Sequence, residues 1–350
     1  MFRLWINDCQ VRIASKLRLR WRLTCKLFLM GLGGWIGGIV FLTIVQAAPP
    51  TQPYAQAGSW VYTSVTYQGE THAVNVYRPS GYPNDAPYPV VYLLHGWGGT
   101  PTVWPNEYPI LAEQADTYGV LIVAVEGDNS NIPPSWYSPR AQIPWPDGEF
   151  WRISFYDWFF RGVLPWVAAN YAIRTDPGGR AIAGFSMGGK GAMSLAGHRP
   201  DLFVAAAEWG GVMDLRDYST NFDIQYVYGP IASQTLSYAA DSPIELAANL
   251  KGLSITLLHG AEDTYVHYQQ SRTMRDKLST LGYTYLWEEI PNLAHVVNNY
   301  EITRTLQRFD AAFLVNGVHI PPEVGEAFGA FAVGKDFVNH LPFDFEEVGD

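Results

Sequence analysis

Gly179-Arg180-Ala181-Ile182-Ala183-Gly184-Phe185-Ser186-Met187-Gly188-Gly189-Lys190-Gly191-Ala192 is the stretch whose reading decides the fold. Gly184 to Gly188 fits G-x-S-x-G, the nucleophile-elbow pattern, in which a serine sits at the tip of a sharp strand-to-helix turn. The backbone at such a tip is strained. Side chains two positions before and after the serine would collide, so both places favour glycine. The competing reading is a glycine-rich turn with an idle serine. Context favours the elbow. Residues 179–183 read as the end of a buried strand, and residues 190–198 read as a helix that starts directly after Ser186. Strand, elbow and helix in that order is the arrangement the motif requires.

Working outward, residues 89–95 and 120–126 are continuous apolar runs, as expected of strands buried on both faces. Residues 203–209 and 254–259 read the same way, and 283–290 reads as a last strand. Helices are expected over 107–118, near 154–171, over 268–281 and over 296–313. Residues 60–68 and 72–77 alternate apolar and polar, which predicts an antiparallel hairpin around Gly69-Glu70. Strands alternating with helices place the chain in the α/β class. The expected architecture is a mostly parallel central sheet with helices on both faces and an N-terminal antiparallel hairpin. Ligands of such sheets sit at the carboxyl ends of strands. Ser186 and the loops after residues 95, 126, 209, 259 and 290 all fall at that rim.

A serine hydroxyl needs a base, and the base needs an orienting acid. Where the serine lies on an elbow, the chain order is serine, acid, histidine. His259-Gly260-Ala261-Glu262-Asp263 follows a buried strand and offers Asp263 as the acid, with Glu262 as its rival. Pro291-Asn292-Leu293-Ala294-His295 follows the last strand and offers His295 as the base. His267 competes, but it lies close to Asp263 in the chain; His72, His198, His319 and His340 read as surface or packing residues. An oxyanion hole needs two backbone N–H groups aimed at the developing negative charge. Met187, next after the serine, supplies one. Trp97, in the loop His95-Gly96-Trp97-Gly98-Gly99, supplies the other.

The run Val90-Val91-Tyr92-Leu93-Leu94-His95-Gly96-Trp97-Gly98-Gly99 resembles the YLLHG-x-GG strand and loop of the esterase D-like esterase family. Ala183 to Ala192 resembles that family's GFSMGG-x-GA elbow, and Ser135-Trp136-Tyr137 is similar to its tryptophan-tyrosine loop segment. The similarity spans roughly residues 60–315. The family holds feruloyl esterases, acetylxylan esterases, S-formylglutathione hydrolases and mycolyltransferases. The resemblance implies an α/β-hydrolase fold, with the triad on Ser186, Asp263 and His295. The sequence departs from the family near the histidine. Ala294 precedes His295, and Asn298-Asn299-Tyr300 replaces the usual tryptophan region.

Eleven aromatic residues fall between 136 and 166. Phe155, Trp158, Phe159 and Trp166 follow helical spacing and are expected in the core. Trp136, Tyr137 and Trp145 lie in a Pro-rich loop and are expected to bind substrate. A second loop, 218–240, would add Tyr226, Tyr228 and Tyr238 to an aromatic groove. No metal-ligand spacing appears, and the glycines of 31–38 follow no strand, so neither metal nor other cofactor is expected.

The chain has 350 residues and a formal net charge of −10. Residues 1–26 carry seven Lys/Arg and one acid, which leaves 16 basic and 32 acidic residues for the rest. Such a surface repels nucleic acid. The basic stretch precedes an uncharged run over 27–45, and small residues at Val45 and Ala47 suit a signal peptidase cutting after Ala47 or Ala48. Residues 1–48 therefore read as a signal peptide or an N-terminal membrane anchor, and both send the remainder outside. The expected location is secreted, extracellular or periplasmic, with a membrane contact only if the leader is kept. Residues 49–58 read as a linker, 59–317 as the catalytic domain and 318–350 as an acidic tail. Both cysteines, Cys9 and Cys25, lie in the leader. The expected activity is that of an exported serine esterase working through an acyl-enzyme on feruloyl or acetyl esters of polysaccharides. The alternatives are acyl transfer to a sugar hydroxyl, polyester hydrolysis, and a non-catalytic carbohydrate-binding protein.

Overall fold

The computed structural model describes residues 57–127, 134–140 and 153–315. The expected leader, the tail, Trp145 and the linker up to residue 56 lie outside the described residues. Eight strands form one sheet: β1 Ser59–Tyr67, β2 Glu70–Arg78, β3 Val90–Leu94, β4 Leu121–Val125, β5 Arg180–Phe185, β6 Ala205–Trp209, β7 Ser254–Gly260 and β8 Tyr285–Ile290. Their order is β1-β2-β4-β3-β5-β6-β7-β8. β2 pairs antiparallel with β1 and with β4, and all other pairs are parallel. The hairpin turns at Gln68 and Gly69, both left-handed with φ of 50° and 86°. That backbone matches a two-residue hairpin loop to the twist of its strands.

Alternation along each strand divides the side chains between two faces. Tyr92, Leu94, Val123 and Ile182 join one core with Phe155, Trp158, Phe159 and Met193. Val91, Leu93, Ile122 and Ala183 join the other with Leu111, Ile302, Phe309 and Phe313. On this second face, before Phe185 and Trp209 at their carboxyl ends, β5 and β6 present alanines at 181, 183, 205 and 207. These small side chains let the helix Asn299–Val315 lie close against β6 and β7. Burial of Phe309 or Phe313 contributes about 1.5–3 kcal/mol each.

Three expectations need correction. The 107–118 helix is two helices, Val103–Glu107 and Ile110–Tyr118. Tyr108 precedes Pro109, and the proline ring pushes it out of the helical region to φ −124° and ψ 69°. The 154–171 helix starts after Ser154, whose hydroxyl accepts the Asp157 N–H at 3.1 Å, and it widens to a π turn over Trp158–Val163. Pro165 offers no N–H to the preceding turn, and the wide turn buries Trp158, Phe159 and Val163 together. Trp166 is only partly buried. The expected 218–240 loop is largely helical, Gln225–Tyr228 and Ile231–Asp241, with Tyr228 and Tyr238 in the core and not in a groove.

The elbow is built as its glycines demand. Ser186 is held at φ 56° and ψ −116°. A Cβ on Gly184 would lie 2.2 Å from the Gly188 carbonyl oxygen, and one on Gly188 would lie 2.1 Å from the Leu94 carbonyl oxygen. Both obstacles are backbone, so nothing flexible can yield. Gly188→Ala is expected to destabilise the protein by about 3 kcal/mol or more, read as a fall in midpoint on chemical unfolding. An unchanged midpoint would contradict the packing described.

Three of the buried carboxyls are held above their usual range. Burial pushes Glu301 up to about 8, helped by the nearby charges of Glu208 and Asp263 against the Asn298 N–H. Burial likewise pushes Glu208 and Asp310 up to about 7 each. Buried His72 and His95 fall to about 4. The histidines lose stability only as pH falls below about 6.5, their unfolded value. Above that pH the unfolded chain holds its carboxylates ionised while the native state still binds protons, so stability falls as pH rises. The melting temperature is expected to drop between about pH 6.5 and 8, the interval spanned by these values. Glu301→Gln keeps the acceptor and should flatten the drop; an identical slope in the variant would rule out this residue as its source.

Candidate active site

β5 delivers Ser186 to the carboxyl rim of the sheet, and the elbow helix Met187–His198 runs away beneath it. The Ser186 N–H donates to the Trp209 carbonyl at 2.9 Å, which ties the tip to β6. Asp263 stands in the loop after β7. Its Oδ1 accepts the N–H groups of Tyr265 and Val266, each at 2.9 Å, so the carboxylate is fixed by its own turn. His295 stands in the loop after β8. The two loops are stapled together, since the Ala261 N–H donates to Ile290 O and the Glu262 N–H to Leu293 O, both at 2.9 Å. Gly260 makes this possible, because a Cβ there would lie 2.3 Å from Leu293 O.

These three loops bring three side chains into line. Ser186 Oγ lies 2.9 Å from His295 Nε2, and His295 Nδ1 lies 2.6 Å from Asp263 Oδ2. A carboxylate accepts, so Nδ1 carries the hydrogen and Nε2 is left to accept from the serine. Burial acts to raise the Asp263 pKa, but the bonds from His259 and His295 outweigh it and hold the carboxyl well below its usual range. The imidazole of His295 is clamped between Phe185, 4.7 Å away at 37°, and Tyr265, 5.6 Å away at 30°. Such ring contacts restrain the orientation of the imidazole.

The loop after β3 reaches the serine from the other side. A Cβ on Gly96 would meet Phe185 at 3.1 Å and Ser186 Cβ at 3.4 Å. Trp97 therefore follows directly beside the elbow. Among the described residues neither the Trp97 N–H nor the Met187 N–H has a hydrogen-bond acceptor. Two unengaged amides beside one serine are what a developing oxyanion requires. Glu262 is exposed and contributes only its backbone. His267 is exposed too, and its Nδ1 accepts the Gln269 N–H at 3.2 Å. His198 turns to Asp241 at 2.9 Å.

The aromatic wall stands elsewhere than expected. Trp136 and Tyr137 are 1% and 0% exposed, so neither faces substrate. Trp136 Nε1 donates to Phe222 O at 2.9 Å, and the Tyr137 hydroxyl donates to His95 O at 2.9 Å. Tyr137 also packs where Gly127 and Gly191 have no side chains. It is a strut beneath the Gly96-Trp97 loop. A buried Trp or Tyr is stable where its polar atom finds a backbone partner, and loop composition does not display that partner. The third residue expected to bind substrate, Trp145, lies outside the described residues. The rings that stand open are Trp97, 49% exposed, and Tyr265, 66% exposed. Trp97 meets Phe222 at 5.9 Å, and Phe222 stacks on Tyr218 at 6.1 Å. The sequence signal for these was present: aromatics next to the loop glycines and the acid.

Two buried polar clusters had no sequence signal. Lys190, inside the elbow motif, is fully buried. Its ammonium donates to Trp136 O at 3.0 Å, Tyr228 Oη at 3.1 Å and Asp241 Oδ2 at 2.5 Å. It fastens the elbow helix to the Trp136 segment and to the helix Ile231–Asp241. Behind Asp263 stands His259, also fully buried.

Comparison with known proteins agrees with this geometry. The family described as "Putative esterase" matches residues 65–284. An esterase of Mycobacterium tuberculosis is 29% identical over 259 residues, which covers 66% of this chain and 54% of that protein. The chain thus spans about half the length of that relative. An endo-1,4-beta-xylanase/feruloyl esterase of Xylanibacter ruminicola is 28% identical over 153 residues, covering 41% of this chain and 19% of that protein. Among solved structures, a ferulic acid esterase superposes with TM-score 0.59 at 19% identity, covering 74% of this chain and 99% of that one. An S-formylglutathione hydrolase from Agrobacterium tumefaciens gives TM-score 0.61 at 14% identity, covering 76% and 98%. These likenesses give the α/β-hydrolase fold. With the family matched over more than half of its length, the chain belongs to the esterase family whose elbow and loop motifs it carries.

Proposed function

We propose that the protein is a serine esterase that hydrolyses carboxylic esters through an acyl-enzyme. The observation that carries this reading is the line Ser186–His295–Asp263, with contacts of 2.9 and 2.6 Å, beside the free amides of Met187 and Trp97. Ser186 Oγ attacks the ester carbonyl as its proton passes to His295 Nε2. The carbonyl π electrons move onto oxygen, where the two amides stabilise them. Asp263 stabilises the imidazolium. The tetrahedral adduct collapses, the C–O bond to the alcohol breaks, and His295 returns the proton to the leaving oxygen. Water then repeats the sequence and frees the acid and Ser186.

The open rings of Trp97 and Tyr265, with the half-buried Phe222 against Trp97, favour an acyl or alcohol group with an aromatic face, and feruloyl esters of polysaccharides fit this better than acetyl esters. The basic-then-apolar leader supports delivery of the enzyme outside the cytoplasm.

Ser186→Ala and His295→Ala are each expected to lower kcat on p-nitrophenyl acetate by about 10⁴-fold or more, and Asp263→Asn by about 10⁴-fold. Wild-type protein should be labelled covalently by a fluorophosphonate and Ser186→Ala should not. Wild-type protein that neither labels nor hydrolyses any ester would end this reading. Running the assay with and without a sugar acceptor separates hydrolysis from acyl transfer by the product formed. Trp97→Ala and Phe222→Ala are expected to raise KM for methyl ferulate about three- to tenfold, the loss of one ring contact, with little change for p-nitrophenyl acetate. Equal effects on both esters would remove the rings from substrate recognition.

A further inference from the structure

His259 sits on the far side of Asp263 from the base. Its Nε2 lies 2.8 Å from Val266 O and 3.2 Å from Asp263 Oδ2. A carbonyl only accepts, so Nε2 carries hydrogen in every protonation state. That N–H is aimed chiefly at Val266 O, and Oδ2 receives its electropositive edge. The Val266 N–H in turn holds Asp263 Oδ1 at 2.9 Å. One imidazole therefore fixes the turn that grips one carboxylate oxygen and touches the other. Nδ1 meets Ser271 Oγ at 2.7 Å, on the helix Gln269–Thr280. Ser271 stands between His259 and Glu208. It stabilises the Glu208 carboxylate without full hydrogen-bond geometry, since Oε1 makes no well-formed bond.

We propose that His259 is a positioning residue for the esterase reaction, acting through Asp263: it holds the carboxylate in register with His295 and moderates its charge. This rests on the esterase reading of Ser186, His295 and Asp263. The groups facing it are Glu208 from β6, Glu301 from the helix Asn299–Val315, and Asp263 and His295 from the rim loops. Burial lowers the His259 pKa, but the Asp263 bond and the Glu208 charge outweigh it, and the net shift is upward. The cation therefore persists toward neutral pH. There it offsets part of the Asp263 charge that the His295 imidazolium would otherwise feel.

Two substitutions test this. His259→Phe keeps the volume and removes the donor. His259→Gln keeps an N–H at similar reach but carries no charge. His259→Phe is expected to lose about tenfold or more in kcat, the scale of a small misplacement, with KM changed less than about twofold. His259→Gln should recover most of that loss. In both, the acid limb of the kcat/KM profile should move to higher pH, because no positive charge remains beside Asp263. Wild-type kcat with an unmoved limb in folded His259→Phe overturns the proposal. Should that variant not fold, an unmoved limb in His259→Gln overturns it equally. Were wild-type protein inert toward esters, the esterase reading would fall alone. The far-downfield proton shared by His295 and Asp263 in the ¹H NMR spectrum would then decide on His259: loss or broadening in His259→Phe supports it, and an unchanged resonance overturns it.

Discussion

The carbonyl oxygen of Leu94 lies 2.1 Å from where a Cβ on residue 188 would stand, so the end of β3 and the elbow touch backbone to backbone. The serine and the two amides at the rim follow from that approach. It sets Gly96 against Ser186 and brings the Trp97 amide beside the Met187 amide. It also leaves Ser186 little choice but its φ of 56°. Strain of this kind persists only where neighbours over-determine it. Here Leu94 pairs with Gly184, Phe185 pairs with Trp209, and the Ser186 N–H is taken by Trp209 O. The sheet holds the tip from both sides before any side chain takes part.

The acid and the base depend on a second close approach. Gly260 lets the loop after β7 lie on the loop after β8, and two backbone bonds lock them. The distance from Asp263 to His295 is thereby a property of the main chain. The ring clamp is local. Phe185, the variable residue of the elbow motif, lies against the imidazole that its neighbour Ser186 touches. A residue with no chemical role in the motif thus limits where the base can turn.

The sheet was legible because its strands are buried on both faces, and burial writes itself as unbroken apolar runs such as 89–95. Asp263 and His295 were legible because each falls just past such a run, where the topology must return it to the rim. Trp136 and Tyr137 were misread because composition marks a loop without marking its partners. The partner of the Trp136 carbonyl is Lys190, on the elbow helix far along the chain. A buried lysine has no pattern of its own in a Gly-rich motif. His259 was hidden for the opposite reason. It ends an apolar strand and reads as part of the run, although its ring faces three carboxyls.

Those carboxyls raise the question of which one holds the negative charge. Asp263, Glu208 and Glu301 interact electrically, and like charges so close suppress one another's ionisation. Hydrogen bonding decides between them. Asp263 is met by two backbone N–H groups and two imidazoles. Glu208 accepts one N–H, from Gly211 at 2.6 Å, and Glu301 accepts one, from Asn298 at 2.9 Å. Burial therefore keeps the two glutamates protonated to higher pH, while the best-solvated of the three stays an anion. Orientation of the imidazole and the sign of charge behind it thus come from one set of N–H donors, half of them main-chain. The electrostatics of the proposed site are for that reason built into its loop geometry.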